Sequence, residues 1–177
     1  MKITLTNVRL SFPALFKGRA FEEGDDPKYE ATALMGKESN QTKKLGKIIK
    51  DMIEGSFDAK DRKKVQSCFK DGSVKEDTDG YSDEIMFIKA SSKKRPTVVD
   101  RDLAPVTEED GVIFGGCYVN MAIRLWVQDN KWGKRINAEL LGMQFVKEGE
   151  SFGESPFKAE EAFSAMDDSE EEDYSDI

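Results

Sequence analysis

The segment Gly115 to Val146 constrains the fold more than any other part of the chain. From Cys117 to Val127 the residues alternate without a break: Cys117, Val119, Met121, Ile123, Leu125 and Val127 point one way, and Tyr118, Asn120, Ala122, Arg124 and Trp126 the other. The first set is a core face. Gln128-Asp129-Asn130-Lys131-Trp132-Gly133-Lys134 is a polar turn region, after which a second strand runs from about Arg135 to Val146, so the segment reads as one long hairpin. A hairpin of this length needs further strands to cover its apolar face, which points to a mainly β chain.

The rest of the sequence supplies those strands. Lys2 to Leu10 alternates, is rich in β-branched residues, and reads as a strand ending near Ser11-Phe12-Pro13. A loop with Gly24, Asp25, Asp26 and Pro27 leads to a second strand, about Tyr29 to Met35, antiparallel to the first. From about Ser39 the period changes. Leu45, Ile48, Ile49, Met52 and Ile53 make one stripe of an amphipathic helix, with Gly55 as its expected C-cap. Asp58 is expected to cap a second helix with Val65, Cys68 and Phe69 inside. The lysines and arginine around these stripes read as a solvated face, with an auxiliary nucleic-acid contact as the alternative. Strands resume at Glu84 to Ser91 and at Thr97 to Val99, across the basic turn Lys93-Lys94-Arg95-Pro96. About five strands with a helical insertion between the second and third suggest a partly open barrel of the OB type.

Charge divides the chain in two. Residues 148–177 carry twelve acids against Lys158, a net of −11, whereas the preceding 147 residues hold 26 basic and 23 acidic side chains, a net of +3. The expected organisation is a folded domain over 1–147 and a flexible acidic tail over 148–177.

Several classes of function are disfavoured. There is no histidine and there are only two cysteines, Cys68 and Cys117, too few for a Cys/His zinc site, and the commonest general base is missing. Asp77 and Asp79 suggest a calcium loop, but Tyr81 falls at its fifth position and the required glycine at the sixth is absent. Asp100, Asp102, Glu108, Glu109 and Asp110 are close enough in sequence to raise a magnesium-dependent nuclease, yet Pro105 and Gly111 among them indicate a solvated loop. The expectation is a binding protein, not an enzyme, with no cofactor and no metal. No apolar run approaches the roughly 20 residues of a membrane span, and the N-terminus lacks a signal-peptide pattern, so the cytoplasm is the expected location.

The remaining constellation is aromatic and basic. Tyr118, Arg124 and Trp126 share the strand face opposite the core, with Trp132, Lys134 and Arg135 at the tip and start of the partner strand. Rings beside cations suit single-stranded nucleic acid: bases stack on rings and cations replace phosphate counterions. The competing reading covers Trp126 and Tyr118 with the insertion or a loop. Phe87 and Lys89, leading to Lys93, Lys94 and Arg95, extend the track, as do Arg9, Phe12, Phe16 and Lys17 at the end of the first strand; for each of these aromatics core packing is the favoured alternative. No sequence-reading motif is visible, so binding is expected to be electrostatic and base-tolerant. Stacking and phosphate contacts do not by themselves reject RNA. The acidic tail would compete for the cationic groove and, once displaced, offer Asp173, Tyr174, Asp176 and Ile177 to a partner; a merely solubilising tail is the simpler alternative. A protein that mimics DNA toward a host enzyme would instead spread its acids over the folded body.

Asn7-Val8-Arg9-Leu10-Ser11-Phe12-Pro13-Ala14-Leu15-Phe16, Lys28-Tyr29-Glu30-Ala31-Thr32, Met86-Phe87-Ile88-Lys89-Ala90-Ser91, Gly115-Gly116-Cys117-Tyr118-Val119-Asn120 and Gly142-Met143-Gln144-Phe145-Val146 occur in that order. Together they resemble a family of bacteriophage OB-fold single-stranded-DNA-binding proteins, over about residues 1–150. The resemblance implies work in phage DNA replication or recombination in the host cytoplasm, protecting exposed strands and contacting a phage or host polymerase, helicase or nuclease through the tail. Many such tails end in phenylalanine; this chain ends in Ile177.

Overall fold

The structure, a computed structural model, describes residues 1–20, 22–152 and 162–166. Five long strands carry it: β1 (Lys2–Arg19), β2 (Lys28–Gly36), β5 (Ile85–Ser92), β7 (Tyr118–Asn130) and β8 (Gly133–Lys147), with three short ones, β3 (Gln66–Ser67), β4 (Phe69–Asp71) and β6 (Thr97–Val99). β1 pairs with β2 and β7, β2 with β5, and β7 with β8, all antiparallel. A parallel bridge from Ser91 of β5 to Glu139 of β8 closes the ring. The result is the five-stranded OB-type barrel expected from the sequence, with its helix between the second and third barrel strands.

Alternation fills the barrel. Val119, Met121, Ile123 and Leu125 of β7 meet Ile136, Ala138 and Leu140 of β8, Ile88 and Ala90 of β5, and Leu5, Val8 and Leu10 of β1, all buried. Each of the larger side chains contributes on the order of 1.5–3 kcal/mol by leaving water. Val127, which follows the same alternation and was expected inside, is 37% exposed, because the hairpin continues past the end of the barrel to a two-residue tip, Lys131-Trp132.

β1 does not end at Pro13. It continues to Arg19 through an irregularity between Ser11 and Ala14, where Phe12 adopts φ 46°. The bulge bends the strand so that Lys2 to Arg9 pair with β7 while Arg9 to Arg19 pair with β2, a corner that closure requires.

The helix α1 (Asn40–Ser56) forms where expected. The Ser39 hydroxyl accepts from the Thr42 amide at 3.2 Å, and Leu45 and Ile49 are buried with Ile48, Met52 and Ile53 beside them. Gly55 is not its cap. The helix runs past it to an extended Phe57, and the Arg62 guanidinium donates to the carbonyls of Phe57 and Glu54, both at 3.1 Å, the second of which a left-handed cap would otherwise serve.

The second helix is absent: Arg62–Lys64 is a single 3-10 turn, followed by β3 and β4. β5 and β8 splay apart below their bridge, and the chain from Gln66 to Asp71 fills the gap. The Cys68 amide donates to the Ile136 carbonyl at 3.0 Å and its carbonyl accepts from the Lys89 amide at 3.1 Å. Open strand edges on both sides outweighed a short apolar stripe. At the end of this segment Asp71 pairs with Lys37, whose ammonium holds the carboxyl at about 2, below the ordinary carboxylate range.

A smaller apolar cluster lies outside the barrel, where Leu34, Tyr81 and Phe87 pack with Ile85 and Phe152. Phe152, counted from charge alone with the acidic tail, is part of it. The Phe152 amide donates to the Gly115 carbonyl at 3.0 Å, and Arg9 donates to the carbonyls of Gly116 at 3.1 Å and Glu150 at 2.6 Å while its guanidinium lies 4.2 Å from the Phe152 ring centre. Gly116, at φ 113°, has no room for a side chain because the Glu150 carbonyl crosses over it. No helix among the described residues is long and apolar enough to cross a membrane.

Candidate nucleic-acid interface

A cleft of about 1070 Å³ crosses the outer face of the barrel from the β7–β8 hairpin to β5 and the 3-10 turn Gly72–Lys75. The pleat decides what faces it. Trp126 and Gln128 come from β7, and Arg135, Asn137 and Glu139 from β8. Phe87, Lys89 and Ser91 come from β5, and Gln66, Ser67, Cys68 and Lys70 from the filling segment. Lys28, Lys93 and Lys94 close one margin and Val74 and Lys75 another.

The charge is one-sided. Seven cations (Lys28, Lys70, Lys75, Lys89, Lys93, Lys94 and Arg135) line the cleft against one carboxylate, Glu139, which is 3.3 Å from Arg124. Lys89 also pairs with Glu30 at 3.3 Å, but its side chain remains 58% exposed and can turn toward a ligand. Polyanion attraction in such a cleft is strong at low salt and screened at high salt.

Both tryptophans are open to solvent. Trp126 is 45% exposed, which removes the possibility that the insertion covers it, and Trp132 at the hairpin tip is 74% exposed. The Trp132 amide donates to Asn130 Oδ1 at 2.9 Å, which fixes the tip, and the Lys131 ammonium lies 4.9 Å from its ring centre. Phe87 is a different case. At 4% exposure, with Tyr81 edge-on at 5.1 Å, it forms the floor of the cleft and offers no free face.

Of the residues singled out in the sequence, the fold brings Phe87, Lys89, Lys93, Lys94, Trp126, Trp132 and Arg135 into this cleft. Others lie elsewhere or are engaged. Tyr118 shares the outward face of β7 with Trp126, but they lie eight positions apart, roughly 26 Å of extended chain. Tyr118 pairs with Arg9 and sits under the Lys147 ammonium at 4.8 Å; Arg9 holds the 148–152 segment. Lys17 is 3.8 Å from Glu108, Arg95 donates to the Phe16 carbonyl, and Lys134 is tied to Asp129 at 2.8 Å. Phe12 stands beside Lys75, one ammonium away from the cleft. Asp173, Tyr174, Asp176 and Ile177 lie outside the described residues.

Lys28, Lys70 and Lys75 were missed. Lys70 fell in a segment read as helix, and Lys75 in a loop with no period to orient it. Cys68, half-buried in the wall, has its thiol pushed up to about 11 by burial, so it is protonated at neutral pH and a poor nucleophile. Two of the acids near residue 105, Asp100 and Asp110, serve turns. Asp100 Oδ1 accepts from the amides of Asp102 and Ala104, and Asp110 accepts from Thr107. Among the described residues no group of three or more such side chains could hold a metal ion.

An OB-type barrel with a cationic, aromatic cleft on its outer face belongs in class with oligomer-binding barrels, whose ligands cross the second and third strands and the loop between the last two. The chain belongs to the family of the single-stranded-DNA-binding protein of Enterobacter phage Enc34, whose family model matches residues 1–174. Putative protein p50 of Acyrthosiphon pisum secondary endosymbiont phage 1 is 35% identical over 182 residues, covering 97% of each chain. The Enc34 protein solved in complex with ssDNA has a TM-score of 0.71 and 33% identity, covering 86% of this chain and 89% of that one. The single-stranded-DNA-binding protein gp2.5 of bacteriophage T7 has a TM-score of 0.62 at 14% identity, covering 85% and 93%, and shares the fold.

Proposed function

We propose that this protein binds single-stranded DNA without reading its sequence, laying the strand along the cleft between the β7–β8 hairpin and β5. One observation carries the proposal: seven cations and two exposed indoles share a single cleft with one carboxylate. Trp132 and Trp126 would stack bases, while Lys89, Lys93, Lys94 and Arg135, with Lys28 and Lys70, would replace the counterions of successive phosphates. The Enc34 relative solved with ssDNA supports the choice of ligand.

In this role the protein protects strands exposed during phage replication and recombination and performs no chemistry on them. Residues 153–177 carry ten acids against Lys158. They compete with DNA for the cleft and, when displaced, are free to meet a polymerase, helicase or nuclease through Asp173, Tyr174, Asp176 and Ile177. A DNA mimic is disfavoured by the same cleft, since its folded surface would present carboxylates where this one presents lysines.

Fluorescence anisotropy of a labelled oligodeoxythymidine tests both parts, comparing the full chain with one ending at Phe152, which keeps the docked 148–152 segment. Binding that weakens with salt and is tighter in the shortened chain at low salt is the expected result. Equal or weaker binding by the shortened chain rejects the competing tail, and no binding by either rejects the ligand.

A further inference from the structure

Phe12 combines three unusual properties. It sits at the bulge of β1 with φ 46°, a region that residues other than glycine, asparagine and aspartate rarely enter, and the residue is 48% exposed. It also leans on a rigid support: the Tyr81 ring is 6.4 Å away at 38°, Tyr81 is edge-on to Phe87, and the Ser11 and Tyr81 hydroxyls are 2.9 Å apart. Barrel closure accounts for the bulge, and its effect here is to aim a large flat ring at solvent.

One cation hovers over this group. The Lys75 ammonium lies 5.7 Å from the Phe12 ring centre, 5.6 Å from Tyr81 and 5.4 Å from Phe87, and it has no ion pair among the described residues. Lys75 ends a 3-10 turn anchored by the Asp71 carboxylate, which accepts from the Ser73 amide at 3.0 Å, so its Cα is held while its long side chain can swing. Lys75 and Phe87 both line the cleft.

We propose that Phe12 and Lys75 form a nucleotide subsite of their own at the β5 margin of the cleft, taking one unstacked base on the Phe12 face and the adjoining phosphate on Lys75. In the free protein the ammonium rests over the rings, a weak attraction for an exposed cation. An arriving phosphate supplies a full negative charge and draws it off, which uncovers the Phe12 face for the base. The subsite rests on the single-strand reading above and adds a stacking position on the side of the cleft away from the tryptophans.

The test is an oligodeoxythymidine titration at several salt concentrations of the full chain, Phe12→Asn, Lys75→Gln and Trp132→Ala, with a thermal melt of each. Asparagine tolerates the left-handed backbone, so Phe12→Asn should melt no lower than the parent while binding about tenfold more weakly, the scale of one lost stack. Lys75→Gln should bind more weakly and lower the magnitude of the slope of log affinity against log salt by about 0.7, one phosphate's share for a single strand. If Phe12→Asn and Lys75→Gln bind like the parent while Trp132→Ala is impaired, the subsite is wrong and the cleft stands. A lower melting temperature for Phe12→Asn with unchanged affinity makes the ring a structural element and also overturns the subsite. Failure of the parent chain to bind removes the single-strand reading itself.

Discussion

Replacing Trp126 and Trp132 together by alanine should lower affinity for oligodeoxythymidine by at least about thirtyfold and leave the melting temperature within a degree or two. Each base stacked on an aromatic side chain is worth about 1–3 kcal/mol, so two lost stacks that add remove about 2–6 kcal/mol of binding. The fold should not notice. Trp126 is 45% exposed and Trp132 74% exposed, and neither belongs to the barrel core. Isothermal titration and a calorimetric melt on the same preparation check both halves. An affinity within twofold of the parent would mean that the indoles do not touch the strand.

Leu125→Ala should do the opposite, although it lies one residue away on the same strand. Leu125 is 2% exposed and packs in the barrel, so truncation leaves a cavity where its side chain was and should cost about 2–5 kcal/mol of stability. For a domain of this size that corresponds to a fall of roughly 4–20 °C in melting temperature. DNA affinity measured well below the new transition should be unchanged. The two adjacent positions thus separate the faces of β7, and a stable, binding-deficient Leu125→Ala would contradict the assignment of faces.

What was legible in the sequence follows the strength of local periodicity. β7 alternates over most of its length, and the faces read from that alternation hold up to Leu125. The α1 stripe was equally plain, whereas the capping role of Ser39 emerged only with the fold. Failures came where tertiary partners outvote local pattern. Cys68 hydrogen-bonds to both β8 and β5, and no local signal in Val65 to Asp71 says that two strand edges wait on either side. Gly55 looked like a cap because the competing donor, Arg62, comes from beyond the helix.

For the site, pleat arithmetic found one face of a strand but not its reach. Tyr118 and Trp126 share a face and still belong to opposite ends of the barrel. Phe12 shows the same limit, since the bulge that turns it outward is a consequence of barrel closure and leaves only Pro13 as a trace in the sequence. Lys75 could not have been placed, because a polar loop gives no face until the Tyr81 and Phe87 cluster fixes where it lies.

The most direct test of the cleft is charge reversal within it, with tryptophan fluorescence as the reporter. Lys89→Glu combined with Arg135→Glu is titrated with oligodeoxythymidine beside the parent chain across a range of salt. Both side chains face the cleft, and neither lies in the barrel core. If the strand follows this cleft, the parent should show salt-dependent quenching, and the reversed chain, measured below its own melting transition, should lose at least about a hundredfold in affinity at low salt, with a shallower salt dependence. Quenching, affinity and salt slope unchanged by the reversal would place the strand elsewhere on the protein.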